Sequence, residues 1–286
     1  MTTLTGDETV VGRPFDYEKG DLMNLRGAVA IVTGSSSGVG AAVARMLTEK
    51  GSHVVVNCTR SVTDGERVVA ECQALGGEAT LCRADVSIDA DCRRLAETAL
   101  KRWGHIDVLV NSAGTTKYVS HYDLEGLSSE DFLRIFSVNT LGPFQMARAV
   151  APHMKARGEG AIVNVSSTAG IRGTGSSIAY AVSKAGLNVL TQSLARVLAP
   201  EVRVNAVCPG FIQGRWLKNA LGDGYEDHKA HWETSSPLRK AATPEEVAAT
   251  ILWLVESAIL ITGQTIVTDA GMMLGPAGSG LMGKRR

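Results

Sequence analysis

Three side chains near the middle of the sequence have the types and the spacing needed to move a proton at a carbonyl group. Tyr180 and Lys184 are four residues apart, and Ser167 lies thirteen residues before Tyr180. Because side chains at positions i and i+4 share one face of a helix, the phenol and the amine can point into the same cleft. We expect the ammonium group to lower the pKa of the phenol from about 10 towards neutrality. The serine hydroxyl would hold the reacting oxygen and stabilise a developing alkoxide.

A glycine-rich segment near the N-terminus is suited to binding a dinucleotide. It reads TGSSSGVG from Thr33 to Gly40 and lies between an apolar run and an alanine-rich helical pattern. Such a turn lets the backbone approach a pyrophosphate, and the following helix offers free N–H groups and the positive end of its dipole. The spacing Gly-x-x-x-Gly-x-Gly could by itself be a tight turn that binds nothing. Its position at the first strand–helix junction favours the nucleotide-binding interpretation.

The rest of the sequence alternates between predicted strands and predicted helices. The strands are near-continuously apolar, which is typical of a parallel sheet that is buried on both faces and has right-handed crossovers. The predicted strands are 28–33, 54–57, 79–83, 106–111, 161–166, 202–207 and 265–268. The predicted helices are 38–50, 64–75, 88–103, 128–157, 178–198 and 244–255. The sequence therefore predicts a doubly wound α/β fold with a parallel sheet of about seven strands and helices on both faces.

Composition and charge exclude several classes of protein. The 286-residue chain has a hydrophobic fraction of 44%, which is enough for a large core. Its formal net charge is zero, so we expect no electrostatic binding of nucleic acid. The most apolar stretch near the C-terminus, 250–263, is too short to span a membrane. The first residues are acidic and contain no apolar signal core, so we do not expect secretion. Five cysteines without a CxxC pair indicate a reduced, cytoplasmic protein.

Taken together and in this order, the motifs resemble those of the short-chain dehydrogenase/reductase family in its single-domain form. Besides the residues above, the sequence contains Asn139 within SVNT, and NSAG from Asn111 to Gly114 where the family has Asn-Asn-Ala-Gly. The resemblance covers about residues 26–273 and is closest in general to the 3-oxoacyl-acyl-carrier-protein reductases. It implies a single Rossmann-type oxidoreductase domain over 26–274, with a polar arm over 1–25 and a flexible tail over 275–286.

The resemblance also implies roles for the central residues. Tyr180 would act as acid and base while hydride moves between the nicotinamide and a carbonyl or secondary alcohol, and Lys184 would also bind the nicotinamide ribose. The family interval to Tyr180 selects Ser167, so the adjacent Ser166 is expected to form structural hydrogen bonds. Asn139 corresponds to the family asparagine that holds a water in a relay to Lys184, although it could instead be a satisfied core residue.

The end of the second predicted strand bears on the choice between the two nicotinamide cofactors. An acidic residue there would bind the adenosine ribose and repel a 2′-phosphate, but the sequence reads NCTR from Asn57 to Arg60. Arg60 can pair with a phosphate and Thr59 can add a hydroxyl group, so we expect NADP(H) in preference to NAD(H). The alternative is that Arg60 is a solvated loop residue.

The resemblance further implies a set of residues along the cofactor. Asp85 would meet the adenine amino group, although it could instead cap the helix that follows Ser87. Asn111 is also expected to tie adjacent strands, and Gly214 stands where the family commonly has a threonine that contacts the carboxamide. The expected cofactor-binding residues are Gly34, Ser36, Ser37, Gly38, Val39, Gly40, Thr59, Arg60, Asp85, Val86, Asn111, Ala113, Gly114, Tyr180, Lys184, Pro209, Gly210 and Ile212.

The connection over 211–238 is long for this kind of fold and holds much of the aromatic content of the chain. By resemblance it is a mobile substrate lid, and segments 115–122 and 171–177 complete the pocket wall. Its aromatic residues either favour an apolar or ring-bearing carbonyl substrate or pack the lid onto the body or a neighbouring subunit. His228 and His231 lack a third ligand, so no metal site is predicted.

The resemblance implies a homodimer or homotetramer that acts on a small-molecule carbonyl or alcohol, with no nucleic-acid or membrane partner. Two other functions stay open. One is an NAD-dependent dehydrogenase of a sugar, polyol or steroid alcohol, and the other is a non-catalytic nucleotide-sensing protein on the same fold. Intact Ser167, Tyr180 and Lys184 argue against the sensor, because a sensor does not need proton transfer.

Overall fold

Seven parallel strands form one sheet at the centre of the protein. The computed structural model describes residues 22–275. The strands are β1 Val29–Thr33, β2 His53–Cys58, β3 Ala79–Arg83, β4 Val108–Asn111, β5 Gly160–Val165, β6 Val202–Pro209 and β7 Thr265–Thr268. They lie in the order β3-β2-β1-β4-β5-β6-β7, and every neighbouring pair is parallel. The predicted α/β fold with about seven parallel strands is confirmed.

Helices cover both faces of the sheet. The α-helices between residues 22 and 275 are α1 Gly38–Glu49, α2 Val62–Ala74, α3 Asp89–Trp103, α4 Ser129–Phe136, α5 Gly142–Arg157, α6 Ala169–Arg172, α7 Ile178–Leu198, α8 Arg215–Leu221, α9 Tyr225–Ser235 and α10 Pro244–Glu256. Short 3₁₀ turns occupy Gly222–Gly224 and Met272–Leu274. Within these described residues, no helix combines the length and the apolar character needed to span a membrane.

Alternating strand residues build two separate apolar layers. In β1, Ala30 and Val32 point to one layer, Val29 and Ile31 point to the other, and all four are fully buried. Helices α1, α2 and α10 close the first layer, and α3, α5 and α7 close the second. Because both faces are covered, the strands must be apolar throughout, which is the pattern that the sequence shows.

The strand order reverses between β1 and β4, which creates a crevice at the carboxyl ends of these two strands. Thr33 at the end of β1 lies opposite Asn111 at the end of β4. In open α/β sheets, ligands bind in the crevice at such a switch point. The glycine-rich segment after β1 and the NSAG segment at the end of β4 therefore meet where a ligand is expected.

The predicted helix over 128–157 is interrupted, which corrects the expectation of one long helix. Helix α4 ends at Phe136, Ser137–Leu141 forms a turn of π-helix, and α5 begins at Gly142. Pro143 has no N–H group, so the Asn139 carbonyl cannot receive the usual hydrogen bond from the residue four positions later. The hydrophobic pattern continues across this turn and gives no sign of the change in pitch.

The last residues of the predicted polar arm belong to the packed domain. Met23 and Leu25 are buried, and the Met23 N–H donates to the Glu256 carbonyl over 3.0 Å. The boundary predicted at residue 25 therefore does not mark a loss of packing. The remainder of the predicted arm, 1–21, and residues 276–286 of the predicted tail lie outside the described residues.

Candidate active site

Helix α7 holds the predicted acid–base pair beside the carboxyl end of β5. The Ser177 hydroxyl caps the helix by accepting from the Tyr180 N–H over 3.3 Å. One turn later, Lys184 is 4% exposed, and its Nζ donates to the Val165 carbonyl over 2.8 Å. The same Nζ lies 5.7 Å from the centroid of the Tyr180 ring. The phenol and the amine therefore share one face of α7, as the spacing predicts.

The two adjacent serines after β5 point to opposite sides. The Ser167 side chain hydrogen-bonds to the Tyr180 hydroxyl, and its Oγ also accepts from the Ala169 N–H over 3.1 Å. The Ser166 hydroxyl is buried and donates to the Lys184 carbonyl over 3.2 Å. Only Ser167 thus contacts the phenol, while Ser166 ties the strand end to the backbone of α7.

Burial controls the pKa values of the acid–base pair. It raises the pKa of Tyr180 to about 12, and the hydrogen bond from Ser167 offsets only part of this effect. It also lowers the pKa of Lys184 to about 8. The expected lowering of the Tyr180 pKa by Lys184 is not found in this structure, because desolvation is the largest effect on the phenol and the amine contributes no resolved lowering. At neutral pH the phenol keeps its proton.

Asn139 lies in the π-helical turn, and its side chain is fully buried. The Oδ1 atom accepts from the Thr115 N–H over 2.8 Å, and Nδ2 donates to the Thr115 carbonyl over 2.9 Å and to Ser183 Oγ over 3.0 Å. The side chain is therefore satisfied by protein groups, which matches the core alternative. A relay to Lys184 would have to use the main-chain carbonyl of Asn139, which Pro143 deprives of its ordinary helical partner.

The glycine-rich turn has no room for side chains at two of its positions. A Cβ on Gly34 would lie 2.6 Å from the Ala113 Cα, and the residue has a φ of +62°. A Cβ on Gly40 would lie 2.8 Å from the Gly34 carbonyl oxygen. These glycines let the turn, the NSAG segment and the start of α1 approach each other, which leaves a backbone-lined cradle of the kind that fits a pyrophosphate.

Asn57 shapes this cradle, a role that the sequence analysis does not predict. It is fully buried at the end of β2, and its Oδ1 accepts from the Gly34 N–H over 3.0 Å. Its Nδ2 donates to the carbonyls of Cys82 and Ala84, each over 3.1 Å. A polar side chain at the end of an otherwise apolar, buried strand is the sequence signal that could have identified it.

The first turn of α1 is open to an anion. Ser37 at the N-cap makes no capping side-chain bond to any described residue, and the first turn contains no acidic side chain. Ser36 is half-buried and Ser37 and Gly38 are exposed, while Val39 and Gly40 are buried. Free N–H groups at the positive end of the helix dipole suit a phosphate.

The predicted adenosine contacts lie at the ends of β2 and β3. Thr59 and Arg60 are exposed, and Thr59 Oγ1 donates to the Ala84 carbonyl over 3.3 Å. The Asp85 carboxylate accepts from the N–H and the hydroxyl of Ser87 over 2.9 and 2.7 Å. Helix α3 has Ile88 as its N-cap, so Asp85 caps the turn before the helix and not the helix itself.

The NSAG segment joins β4 to its neighbours on both sides. Asn111 Nδ2 donates to Asn164 Oδ1 over 2.9 Å, so this side chain ties β4 to β5 as predicted. The backbone N–H groups of Ser112 and Ala113 both donate to Thr33 Oγ1 over 3.1 Å. Val86 is buried behind this region, and its carbonyl accepts from Gln145 Nε2 over 2.8 Å.

The turn after β6 lies beside Ser167. The Pro209 carbonyl accepts from the Thr168 N–H over 3.0 Å, which places the turn one residue from Ser167. A Cβ on Gly210 would lie 2.4 Å from Trp232 Cη2, so only glycine permits the contact with the lid. Ile212 pairs with Ala242 in an isolated parallel bridge.

The aromatic residues of the lid divide between the two predicted roles. Phe211 and Tyr225 are buried and pack with Trp232, and these rings fix the lid to the body. Trp216 is 49% exposed instead, and its Cη2 lies 3.8 Å from the position of a Cβ on Gly114. Lys184 Nζ lies 3.9 Å from that same position, so the Trp216 ring and the Lys184 amine both lie next to Gly114.

Two cavities open beside the lid. The one next to Trp216 has a volume of about 310 Å³ and is lined by Thr115, Thr116, Tyr118, Trp216, Asn219 and Ala220. The other has a volume of about 510 Å³ and is lined by Gln213, Gly214, Arg215, Lys218, Asn219, Tyr225, Pro244 and Glu245. The smaller cavity is the one lined by Trp216, the lid residue that lies near Gly114.

The two lid histidines are used locally. His228 Nδ1 hydrogen-bonds to the Gly224 carbonyl over 2.9 Å, and His231 Nδ1 hydrogen-bonds to Ser235 Oγ over 3.3 Å. Over residues 22–275, no group of three or more His, Cys, Asp or Glu side chains is arranged to hold a metal ion.

Comparison with known sequences assigns the chain to a family. A family model described as enoyl-(acyl carrier protein) reductase matches residues 34–273. A Streptomyces violaceoruber protein assigned as ketoacyl reductase 2 of the granaticin polyketide synthase is 45% identical over 246 residues, which cover 86% of this chain and 96% of the relative. The 3-oxoacyl-[acyl-carrier-protein] reductase of Synechocystis sp. is 38% identical and is covered over 98% of its length by 87% of this chain.

Solved structures support the same assignment. A Burkholderia xenovorans protein assigned to the short-chain dehydrogenases/reductases superimposes with a TM-score of 0.79 at 37% identity, over 87% of this chain and 99% of the other. A 7α-hydroxysteroid dehydrogenase in complex with NADH and 7-oxo glycochenodeoxycholic acid superimposes with a TM-score of 0.79 at 30% identity. The match covers 90% of this chain and 98% of the dehydrogenase. From its sequence and its fold alike, the chain belongs to the short-chain dehydrogenase/reductase family.

Proposed function

We propose that the protein is an NADP(H)-dependent oxidoreductase that reduces a carbonyl group, with Tyr180 as the proton donor. The observation that carries this proposal is the buried group of Ser167, Tyr180 and Lys184 beside a glycine-lined cradle. Because burial keeps the phenol protonated at neutral pH, Tyr180 is in the state that an acid needs for reduction. Oxidation of an alcohol would have to start from the phenolate.

The chain supplies positioning and proton transfer, and a bound nicotinamide cofactor would supply the hydride. Ser167 holds the carbonyl oxygen, and Tyr180 donates its proton to that oxygen as negative charge develops there. With a pKa of about 8, Lys184 is mostly protonated at pH 7 and stabilises the phenolate that proton transfer leaves behind. The cradle around Gly34 and the first turn of α1 hold the pyrophosphate.

The preference for NADP(H) is supported by the charge at the end of β2. Arg60 is exposed there, and no carboxylate of the described residues forms an ion pair with it. A guanidinium group binds a phosphate through two parallel hydrogen bonds, which a ribose hydroxyl cannot match. Thr59 lies next to it and adds a hydroxyl group.

Steady-state kinetics with the two cofactors tests this preference. With a saturating ketone, we expect kcat/KM for NADPH to exceed that for NADH by at least about tenfold, because hydrogen bonds to a charged group contribute ~1.5–3 kcal/mol. Arg60→Gln should remove most of this difference and leave the NADH reaction unchanged. A wild-type protein that prefers NADH would overturn the cofactor assignment.

The relatives narrow the proposed substrate. Proteins named as ketoacyl reductase and 3-oxoacyl-[acyl-carrier-protein] reductase match nearly their whole length to this chain. We therefore favour a 3-oxoacyl or ring-bearing ketone, with Trp216 providing an apolar wall. A panel of 3-oxoacyl thioesters, cyclic ketones, sugars and steroid alcohols, followed by nicotinamide absorbance, would show the preferred class.

One observation favours a second candidate function, an NAD-dependent dehydrogenase of a steroid alcohol. The 7α-hydroxysteroid dehydrogenase that superimposes on this chain was solved with NADH and a steroid. In the same panel, fast reduction of NAD⁺ by a hydroxysteroid together with slow reduction of ketones by NADPH would support this second function and contradict the first.

We also propose that the protein is a homodimer or homotetramer that works in the cytoplasm. Large apolar side chains are exposed on α4, α5 and α7, which are packed together. Such a patch is more apolar than a monomer surface needs and is typical of an interface between subunits. The five cysteines are all buried and unpaired, which supports a reducing compartment.

A further inference from the structure

The segment after β4 is held rigidly where it borders the smaller cavity. The Thr115 N–H donates to Asn139 Oδ1 over 2.8 Å, and the Val119 N–H donates to the Ser176 carbonyl over 2.9 Å. Between them, the hydroxyls of Thr116 and Ser176 hydrogen-bond over 2.7 Å. The backbone is therefore fixed on both sides of Tyr118, a residue to which the reaction described above gives no role.

Tyr118 and Trp216 line the same cavity, and their side chains are close enough for the indole and the phenol to hydrogen-bond. An indole can only donate, so the oxygen of Tyr118 is the acceptor in this bond. The hydrogen of the Tyr118 hydroxyl consequently stays available to a ligand in the cavity. Tyr118 is 41% exposed, and its partial removal from water raises the pKa of the phenol, which keeps this hydrogen in place at neutral pH.

The donor lies near the reacting atoms. Thr116 hydrogen-bonds to Ser176, and the neighbouring Ser177 accepts from the Tyr180 N–H. The segment that carries Tyr118 therefore lies beside the first turn of α7. On the other side, Trp216 reaches Gly114 and Lys184, as described for the lid. A ligand whose carbonyl oxygen is bound by Ser167 and Tyr180 thus extends into a cavity that presents one further O–H donor.

We propose that Tyr118, oriented by Trp216, is a specificity-determining residue that donates a hydrogen bond to a second oxygen of the substrate. This inference rests on the proposed function and refines its substrate class. A 1,3-dicarbonyl group, as in a 3-oxoacyl thioester, carries a second carbonyl oxygen two carbons from the reacting one. A simple ketone leaves the donor without a partner. Because Tyr118 is 41% exposed, water replaces the missing oxygen, so the difference between the two substrates should be that of about one neutral hydrogen bond.

The test compares two substrates in the wild-type protein and in Tyr118→Phe, with NADPH as cofactor. One substrate is a 3-oxoacyl thioester, and the other is a methyl ketone of the same chain length that lacks the second carbonyl. We expect Tyr118→Phe to raise KM for the thioester about fivefold with little change in kcat, and to leave the methyl ketone unaffected. Trp216→Phe keeps a ring but removes the indole N–H, and it should also raise KM for the thioester.

Tyr122→Phe is the matched control, because Tyr122 lies in the same segment but is fully exposed and does not line the cavity. It should leave both substrates unchanged. NADPH binding and the melting temperature of each variant show whether the fold and the cofactor site are intact. If Tyr118→Phe leaves the ratio of the two KM values at its wild-type value, the inference is wrong. If the wild-type protein reduces neither ketone, the proposed function itself fails.

Discussion

Tyr180 and Lys184 lie one helical turn apart, and burial shifts their pKa values in opposite directions, to about 12 and about 8. The cause is the same in both cases, because a charge is unfavourable away from water whether it is negative or positive. The residue types and their spacing were readable in the sequence. Their pKa values were not, because they depend on how completely the strands, α7 and the lid exclude water from the pair.

Replacing the buried amine should stabilise the protein while it removes activity. We expect Lys184→Met to raise the free energy of unfolding at pH 7 by about 2 kcal/mol, because a charged lysine whose pKa falls on folding opposes folding. Urea denaturation at several pH values measures this difference. The unfolded lysine titrates near pH ~10.4 and the folded one near 8, so the wild-type protein regains stability as the pH rises between these values.

The stability advantage of Lys184→Met should therefore shrink from pH 8 to pH 10. An advantage that stays constant over this interval would mean that the amine is not desolvated. Arg203→Met would be an unsuitable control, because Arg203 donates to three carbonyls at the end of α10. Lys101→Met is suitable, since Lys101 is exposed and pairs only within its own helix.

At the scale of secondary structure, the apolar strands and the long amphipathic helices were predictable. Strand β3, helix α7 and strand β7 have the predicted bounds to the residue. The π-helical turn and the grip of Asn57 on the Gly34 N–H were not predicted. The contacts of Asn57 depend on β2, β3 and the glycine-rich turn, which meet only in the folded chain. The π-helical turn has a local cause, Pro143, but the hydrophobic pattern continues across it.

The lid has a second attachment to the body besides its aromatic cluster. Arg215 in α8 pairs with Asp64 in the first turn of α2 over 2.8 Å, and this pair holds the pKa of Asp64 below its usual range. Both side chains are exposed enough that the pair contributes little to global stability. Because α2 is the helix that follows Arg60, the pair links the lid to the segment at the end of β2.

Breaking this link should loosen the lid without unfolding the protein. We expect Arg215→Gln to increase hydrogen exchange over 215–221 several-fold while the melting temperature stays within about 2 °C of the wild-type value. High salt should have a similar effect on the wild-type protein. Lys229→Gln is the control, because Lys229 pairs with Glu233 inside α9. If residues 215–221 exchange at the same rate in Arg215→Gln and in Lys229→Gln, the pair does not hold α8.

At the scale of the whole molecule, three neighbouring helices carry several exposed apolar side chains. The exposed apolar side chains on α4, α5 and α7 are Phe132, Leu133, Phe136, Phe144, Val182, Val189 and Val197. Helices α4 and α7 pack against each other, which brings exposed apolar side chains of the two helices into the same region of the surface. Contact with a second subunit would bury them, which is the physical basis for the proposed oligomer.

Light scattering coupled to size exclusion tests this interpretation. We expect the wild-type protein to elute as a dimer or tetramer and the double variant Leu133→Glu, Val189→Glu to shift towards the monomer, because buried carboxylates oppose association. Leu75→Glu introduces the same charge at an exposed position at the end of α2 and should leave the assembly intact. A wild-type monomer at micromolar concentration would contradict the proposed assembly.

The most direct test of the central claim is single-turnover reduction by Tyr180→Phe. This variant keeps the ring and removes only the hydroxyl that contacts Ser167. We predict that it binds NADPH as tightly as the wild-type protein and transfers hydride at least about a hundredfold more slowly, since general acid catalysis contributes ~10²–10⁴-fold. A variant that binds NADPH normally and reduces the ketone within a few-fold of the wild-type rate would show that Tyr180 is not the proton donor.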